Sequence, residues 1–128
     1  KEPLLQMESE KAFYSYNLRK LIELFEDKRK ALFEELSNVP SEVDKFPDFD
    51  DDLKKDWIEG RTTAVNDSIT DNLLMIAEMY RNLGEFNNSI FYIQKIKSRV
   101  NNDCTGMIEV EIATGNTLTY QTRGRIYP

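Results

Sequence analysis

The sequence lacks histidine altogether, and it contains one cysteine, five glycines and four prolines among its 128 residues. Without histidine, the chain has neither the usual general base of catalysis near neutral pH nor the commonest metal ligand. The single Cys104 allows no internal disulfide and no multi-cysteine zinc site. This cysteine usage favours a reducing compartment such as the cytoplasm. Because the first residue is Lys1 rather than Met, removal of an upstream segment and a secreted or periplasmic location stay open.

Positive charge and long apolar runs are also scarce. Lysine and arginine number 17 against 23 acidic residues, which gives a net charge of -6. A nucleic-acid-binding surface needs clustered cations, so we expect no nucleic-acid partner. We expect another protein or peptide instead, and the negative field of the chain favours a basic or neutral one. No apolar run approaches the roughly 20 residues that a bilayer-spanning helix needs. The hydrophobic fraction of 40% is typical of a globular protein, and the length predicts one domain over residues 1–128.

The spacing of the apolar residues predicts antiparallel helices over about 3–37, 53–83 and 85–100, joined by an acidic connector over 38–52. Apolar residues recur three and four positions apart, as on one face of a helix. In the first helix this stripe consists of Tyr14, Leu18, Leu21, Ile22, Phe25, Leu32, Phe33 and Leu36. Asn38 and Pro40 predict its end, and Gly84 predicts the end of the second helix.

After residue 103 the apolar spacing changes to every second residue. Ile108, Val110 and Ile112 alternate with glutamates, and Leu118 and Tyr120 continue the alternation beyond a Gly-Asn pair. This pattern predicts a C-terminal β-hairpin with strands over about 107–113 and 118–126. A three-residue loop, either 114–116 or 115–117, would place both apolar sets on one face. The fold class is therefore mainly α with a C-terminal β-hairpin, whose exposed edge could also pair with another chain and form an oligomer.

Residues 70–101 carry a pattern of large, small and turn-forming positions. Large residues alternate with small ones around a glycine turn, in the order Leu73, Ile76, Ala77, Tyr80, Gly84, Phe86, Ser89 and Ile93. The segment resembles a single tetratricopeptide repeat, although Ile96 stands where that family prefers alanine and Asn101 where it often has proline. The resemblance implies two antiparallel helices and a protein-binding surface on the first of them. The matching positions are Asp71, Leu74, Glu78, Arg81 and Asn82.

An acidic run offers a calcium candidate. Asp48, Asp50, Asp52, Asp56 and Glu59 stand at positions 1, 3, 5, 9 and 12 of an EF-hand-type loop. Leu53 occupies the position where that loop needs glycine, and Lys55 the one where it needs an apolar residue. The same acids also suit the start of a helix, where they complement the helix dipole. We therefore expect no metal and no other cofactor.

Paired carboxylates leave one enzymatic alternative. Glu23 and Glu26, and likewise Asp67 and Asp71, stand one helical turn apart, as in an all-helical phosphohydrolase dependent on a divalent metal. No nucleophile has a recognisable activating partner, and no glycine-rich phosphate loop is present. The sequence therefore favours a non-enzymatic interaction or scaffold domain with no catalytic residue. A structural protein that assembles through the hairpin edge is the first alternative, and the phosphohydrolase is the second.

Overall fold

The computed structural model describes residues 2–99 and 104–115, and within them the protein consists of helices. The helices are α1 (Glu2–Glu42), α2 (Asp51–Asn82), α3 (Phe86–Lys97) and α4 (Gly106–Ala113), with a 3-10 turn at Val43–Lys45. The three predicted helices are present, and α2 runs without a break through Gly60. In the described ranges, no helix is long and apolar enough to cross a membrane.

Helix α1 continues five residues past its predicted end. It contains Pro40, which has no backbone N–H and therefore cannot complete the helical hydrogen bond to Leu36. Val39 and Val43, one turn apart, are both buried beside this proline. Their burial holds the chain on a helical path, since packing often outweighs local preference.

The connector between α1 and α2 is closed by aromatic contacts and a helix cap. Phe46 stacks on Phe49 with ring centroids 4.9 Å apart, and it also contacts Trp57 at 5.5 Å. The Asp50 carboxylate accepts a hydrogen bond of 2.8 Å from the backbone N–H of Leu53. Such a cap satisfies an N–H group that has no partner within the helix, which explains why α2 begins here.

Helices α1 and α2 pack antiparallel along most of their length. The side-chain amide of Asn72 donates to the backbone carbonyl of Phe25 at 2.8 Å, and Arg61 pairs with Glu35 further along. These two contacts define the register, because residue numbers rise along one helix as they fall along the other. The core between the helices is aliphatic, and its most buried members are Val39, Val65, Ile69, Leu73, Ile76, Ala77 and Ile96.

Helix α3 folds back on α2 through a turn at Gly84, whose φ of 78° lies in the left-handed region that glycine adopts readily. The Ser89 hydroxyl, fully buried, donates to the carbonyl of Ala77 at 2.7 Å. Small side chains at this crossing allow the backbones to approach closely. Helix α3 also contacts α1, where the Tyr92 hydroxyl donates to Glu26 at 2.7 Å.

The predicted β-hairpin is wrong in the part that the structure describes. Residues 106–113, which include most of the predicted first strand, form α4, while the second strand at 118–126 lies outside the described residues. Ile108 and Ile112 are four residues apart as well as even-spaced, so they also share one helical face. Ile108 joins the core, whereas an isolated two-stranded hairpin is marginally stable in water. Gly115 does adopt a positive φ of 69°, but it does so at the end of a helix.

Candidate protein-binding groove

The five predicted partner-binding residues do not form one accessible surface. Asp71 is exposed, whereas Leu74 is partly buried and packs against the core. Arg81 is fully buried and therefore cannot meet a partner directly. Its guanidinium donates from Nε to Glu78 at 3.0 Å and from Nη2 to Asn82 at 3.2 Å. Three of the five side chains thus bind one another.

The acidic calcium candidates belong to a helix start. Asp48 precedes α2, Asp50 caps it, and Asp52, Asp56 and Glu59 lie within it. Because these last three lie within a continuous helix, they do not line a loop that wraps around a cation. Over residues 2–99 and 104–115, no group of three or more acidic or cysteine side chains could hold a metal ion.

The paired carboxylates of the enzymatic alternative point to different surroundings. Glu26 faces α3 and accepts from Tyr92, while Glu23 is exposed on α1. Asp71 lines the groove described below, and Asp67 lies beside Arg99, close to the end of α3. The structure does not bring the two pairs together around one centre.

A concave groove lies between α1 and α2, on the side of these helices away from α3. It has a volume of about 680 Å³. From α1 it is lined by Leu24, Phe25, Lys28, Leu32 and Glu35, and from α2 by Arg61, Ala64, Val65, Ser68, Asp71, Asn72 and Met75. The lining residues recur every three or four positions on each helix, so each helix presents one continuous strip.

The groove has an apolar floor and fixed walls. Leu32 and Val65 are buried in it, and Asn72 joins the two helices through its hydrogen bond to Phe25. The Oδ1 atom of Asn72 is buried and has no hydrogen-bond partner among the residues that the structure describes. Arg61 and Glu35 pair across one end, so the groove is closed there by an ion pair.

Exposed apolar side chains stand along the rim of the groove. Leu24 is 63% exposed and Met75 is 47% exposed, and Leu21, one turn before Leu24 on α1, is 43% exposed. Single exposed apolar residues are common, but a row beside a concave surface is typical of a binding site. Leu21 belongs to the apolar stripe that the sequence predicts to be buried, whereas the sequence predicts no role for Leu24 or Met75. The sequence does contain a signal for this surface, since α1 carries more apolar residues than one buried face can hold.

One cation and one anion face each other across the groove rim. Lys28 lies on the α1 side and Asp71 on the α2 side, and both are exposed. Within the described part of the chain neither makes an ion pair. They are therefore available to charged groups of a bound molecule.

Comparisons with known protein families, curated proteins and solved structures return no match for this chain.

Proposed function

We propose that the protein is a non-enzymatic interaction domain that binds another protein chain in the groove between α1 and α2. The observation that carries this proposal is the apolar floor flanked by exposed Leu24 and Met75. Such a surface loses water favourably when a complementary apolar surface covers it, at roughly 25 cal/mol for each Å² removed from water.

The groove suits a helix of another chain. Its two walls are the antiparallel helices α1 and α2. A third helix can pack into such a groove at interaxial distances of about 8–10 Å. Amphipathic helices that bind in this way anchor themselves through residues three and four positions apart. The α2–α3 hairpin, which resembles a tetratricopeptide repeat, is then the scaffold that holds α2 in place, and the binding surface is the opposite face of α2.

This proposal moves the binding surface away from the residues predicted by the resemblance. Only Asp71 belongs to both surfaces, because Arg81 is buried and engages Glu78 and Asn82. Assembly through a C-terminal hairpin edge is not retained, since its first strand is replaced by α4.

Site-specific photocrosslinking tests the proposal. A photoreactive phenylalanine analogue is placed at Leu24 in the full chain, and a matched variant carries it at Lys30, which is also exposed on α1 but faces away from the groove. We expect protein adducts from position 24 and few from position 30, because only the first side chain lies at the groove rim.

Mass spectrometry then identifies the crosslinked peptide and its position. Equal labelling from both positions, or no protein adduct from position 24 in the organism's own extract and in purified concentrated protein, contradicts a binding role for the groove.

A further inference from the structure

We infer that the chain occupying this groove is a second copy of the protein, packed so that α1 of each copy faces α2 of the other. This inference rests on the proposed binding role of the groove and assigns its occupant. The rim residues lie at defined levels along the axes of the helix pair.

The hydrogen bond between Asn72 and Phe25 fixes these levels. In that register Asp71 is level with Glu26, two residues from Lys28. With a rise of 1.5 Å per residue, Lys28 and Asp71 stand within about 3 Å of the same height. The same count places Met75 level with Ile22, again two residues, or about 3 Å, from Leu24.

These levels make the face complementary to itself. A two-fold axis parallel to the helices exchanges the two copies without changing height, and it places α1 of each copy opposite α2 of the other. Lys28 of each copy then faces Asp71 of the other, and Leu24 of each copy faces Met75 of the other. The interface contains each favourable contact twice, and the facing helices run antiparallel, as in a four-helix bundle.

Charge balance also distinguishes a second copy from a basic partner. The whole chain carries a net charge of -6, but the groove is lined by two cations, Lys28 and Arg61, and two anions, Glu35 and Asp71. A basic peptide would therefore meet as much repulsion as attraction there. A second copy presents one exposed charge of each sign, so that its Asp71 lies opposite Lys28 and its Lys28 lies opposite Asp71.

The test uses charge exchange in the full-length protein. The association state is measured by sedimentation velocity at about 0.15 M salt. At this ionic strength the Debye length is about 8 Å, so the salt screens the repulsion between two acidic chains. The wild-type protein should shift from a mass of 15.0 kDa towards twice that value as its concentration rises. Lys28→Glu and Asp71→Lys each oppose like charges at two places, so each should weaken dimerisation by about tenfold or more.

Mixing the two variants gives the decisive measurement. In a mixed dimer, Glu at 28 faces Lys at 71, and the native Asp71 faces the native Lys28, so both contacts are restored. The 1:1 mixture and the double variant should therefore dimerise as the wild-type protein does. Lys30→Glu, which changes charge equally on the other side of α1, should leave dimerisation unchanged. Circular dichroism verifies that each variant remains helical.

Several results would overturn the inference. These are a wild-type protein that stays monomeric up to millimolar concentration, single variants that dimerise normally, or a mixture that stays monomeric. The crosslinking experiment separates this failure from failure of the proposed function. Adducts from position 24 to a different protein, together with a monomeric wild-type chain, would keep the groove as a binding site and reject the second copy.

Discussion

The two sides of the α1–α2 pair differ in how their apolar surface is covered. On the side of α3, the helices approach closely at Ser89 and Ala77, and Tyr92 bonds across to Glu26. On the other side a groove remains, with Leu24 and Met75 exposed at its rim. The closed side combines buried aliphatic residues with hydrogen bonds of defined geometry, as required for a unique packing arrangement. The open side offers apolar area without a covering helix, as an interaction surface does.

The largest expected effect comes from neighbouring residues that face the two sides. Ile76 is fully buried, whereas Met75 lies at the groove rim and is 47% exposed. Ile76→Ala leaves a cavity in the core and should lower the free energy of unfolding by about 2–5 kcal/mol. Met75→Ala should change it by no more than about 0.5 kcal/mol in a dilute monomeric sample.

Urea denaturation followed by circular dichroism measures both variants at the same low protein concentration. If Met75→Ala destabilised the monomer as strongly as Ile76→Ala, the groove would be part of the core rather than an open surface.

A smaller effect is expected from the polar contact between α3 and α1. Tyr92→Phe keeps the ring, which stacks on Tyr80 at 5.7 Å, but removes the hydroxyl that donates to Glu26. The loss should be about 1.5–3 kcal/mol in the free energy of unfolding, since this hydrogen bond is accepted by a carboxylate. Tyr16→Phe is the matched control, because Tyr16 is 58% exposed on α1.

The Tyr92 contact also predicts a dependence on alkaline pH. Burial raises the pKa of Tyr92 above its ordinary value of 10.0, and the bonded Glu26 carboxylate raises it further, while Arg29 opposes both. The unfolded chain therefore loses this proton near pH 10, before the folded protein does, and stability falls as the pH rises through and above that value. Tyr92→Phe should remove part of this decline, so the wild-type advantage should shrink above pH 10. An unchanged difference across this range would contradict the assignment.

The smallest effect concerns the attachment of α4. Glu109 pairs with Lys97 of α3 at 2.6 Å and accepts from the Thr105 hydroxyl at 2.7 Å. These contacts, the lysine first, hold the pKa of Glu109 below its ordinary value of 4.5. Because the pair is largely exposed, Glu109→Gln should cost only about 0.2–1 kcal/mol at neutral pH.

The pH dependence of Glu109 has the opposite direction from that of Tyr92. A lowered pKa means that the carboxylate stabilises the folded state above about pH 4.5, and that this contribution disappears as the pH falls through the folded value. The difference between wild type and Glu109→Gln should thus vanish in acid. Lys95→Gln, on α3 like Lys97, is a control that leaves the Glu109 pair intact. A difference that persists once Glu109 is protonated in the folded protein would point to packing rather than charge.

Helical periodicity predicted the main elements, because long amphipathic segments specify their own secondary structure. It could not predict which part of an apolar stripe is buried. Leu18, Ile22 and Leu32 are in the core as expected, but Leu21 and Phe33 from the same predicted stripe are each 43% exposed. Burial depends on where α2 and α3 contact α1, and this is a property of the assembled fold.

Predictions from local sequence rules were wrong at two places where tertiary packing competes with them. Pro40 predicted a helix end, but burial of Val39 and Val43 extends the helix past it. The alternation at Ile108, Val110 and Ile112 suited a strand, yet in the helix Ile108 is buried and Val110 is the only one of these three that is exposed. Short segments are ambiguous in this way, since one set of apolar positions fits both periods.

The candidate site was only partly predictable. A resemblance to a repeat family directed attention to the α2 positions that include Arg81, whose burial could not be read from its residue type. The groove depends on the register set by Asn72 and Phe25, which lie 47 residues apart in the sequence. No local pattern reports a contact of that range.

The sequence separation of these contacts also affects how the chain folds. The bond between Ser89 and Ala77 joins residues 12 apart, whereas the bond between Tyr92 and Glu26 joins residues 66 apart. Loop closure for the longer contact costs about 1.5 kcal/mol more in chain entropy. Helix α1 therefore gains its long-range contacts at the greater entropic cost, although it leaves the ribosome before α2 and α3. Until those helices are made, the apolar residues of α1 that will face the core and those that will line the groove are both uncovered. The side chains at the groove rim, such as Leu24, remain exposed in the folded monomer.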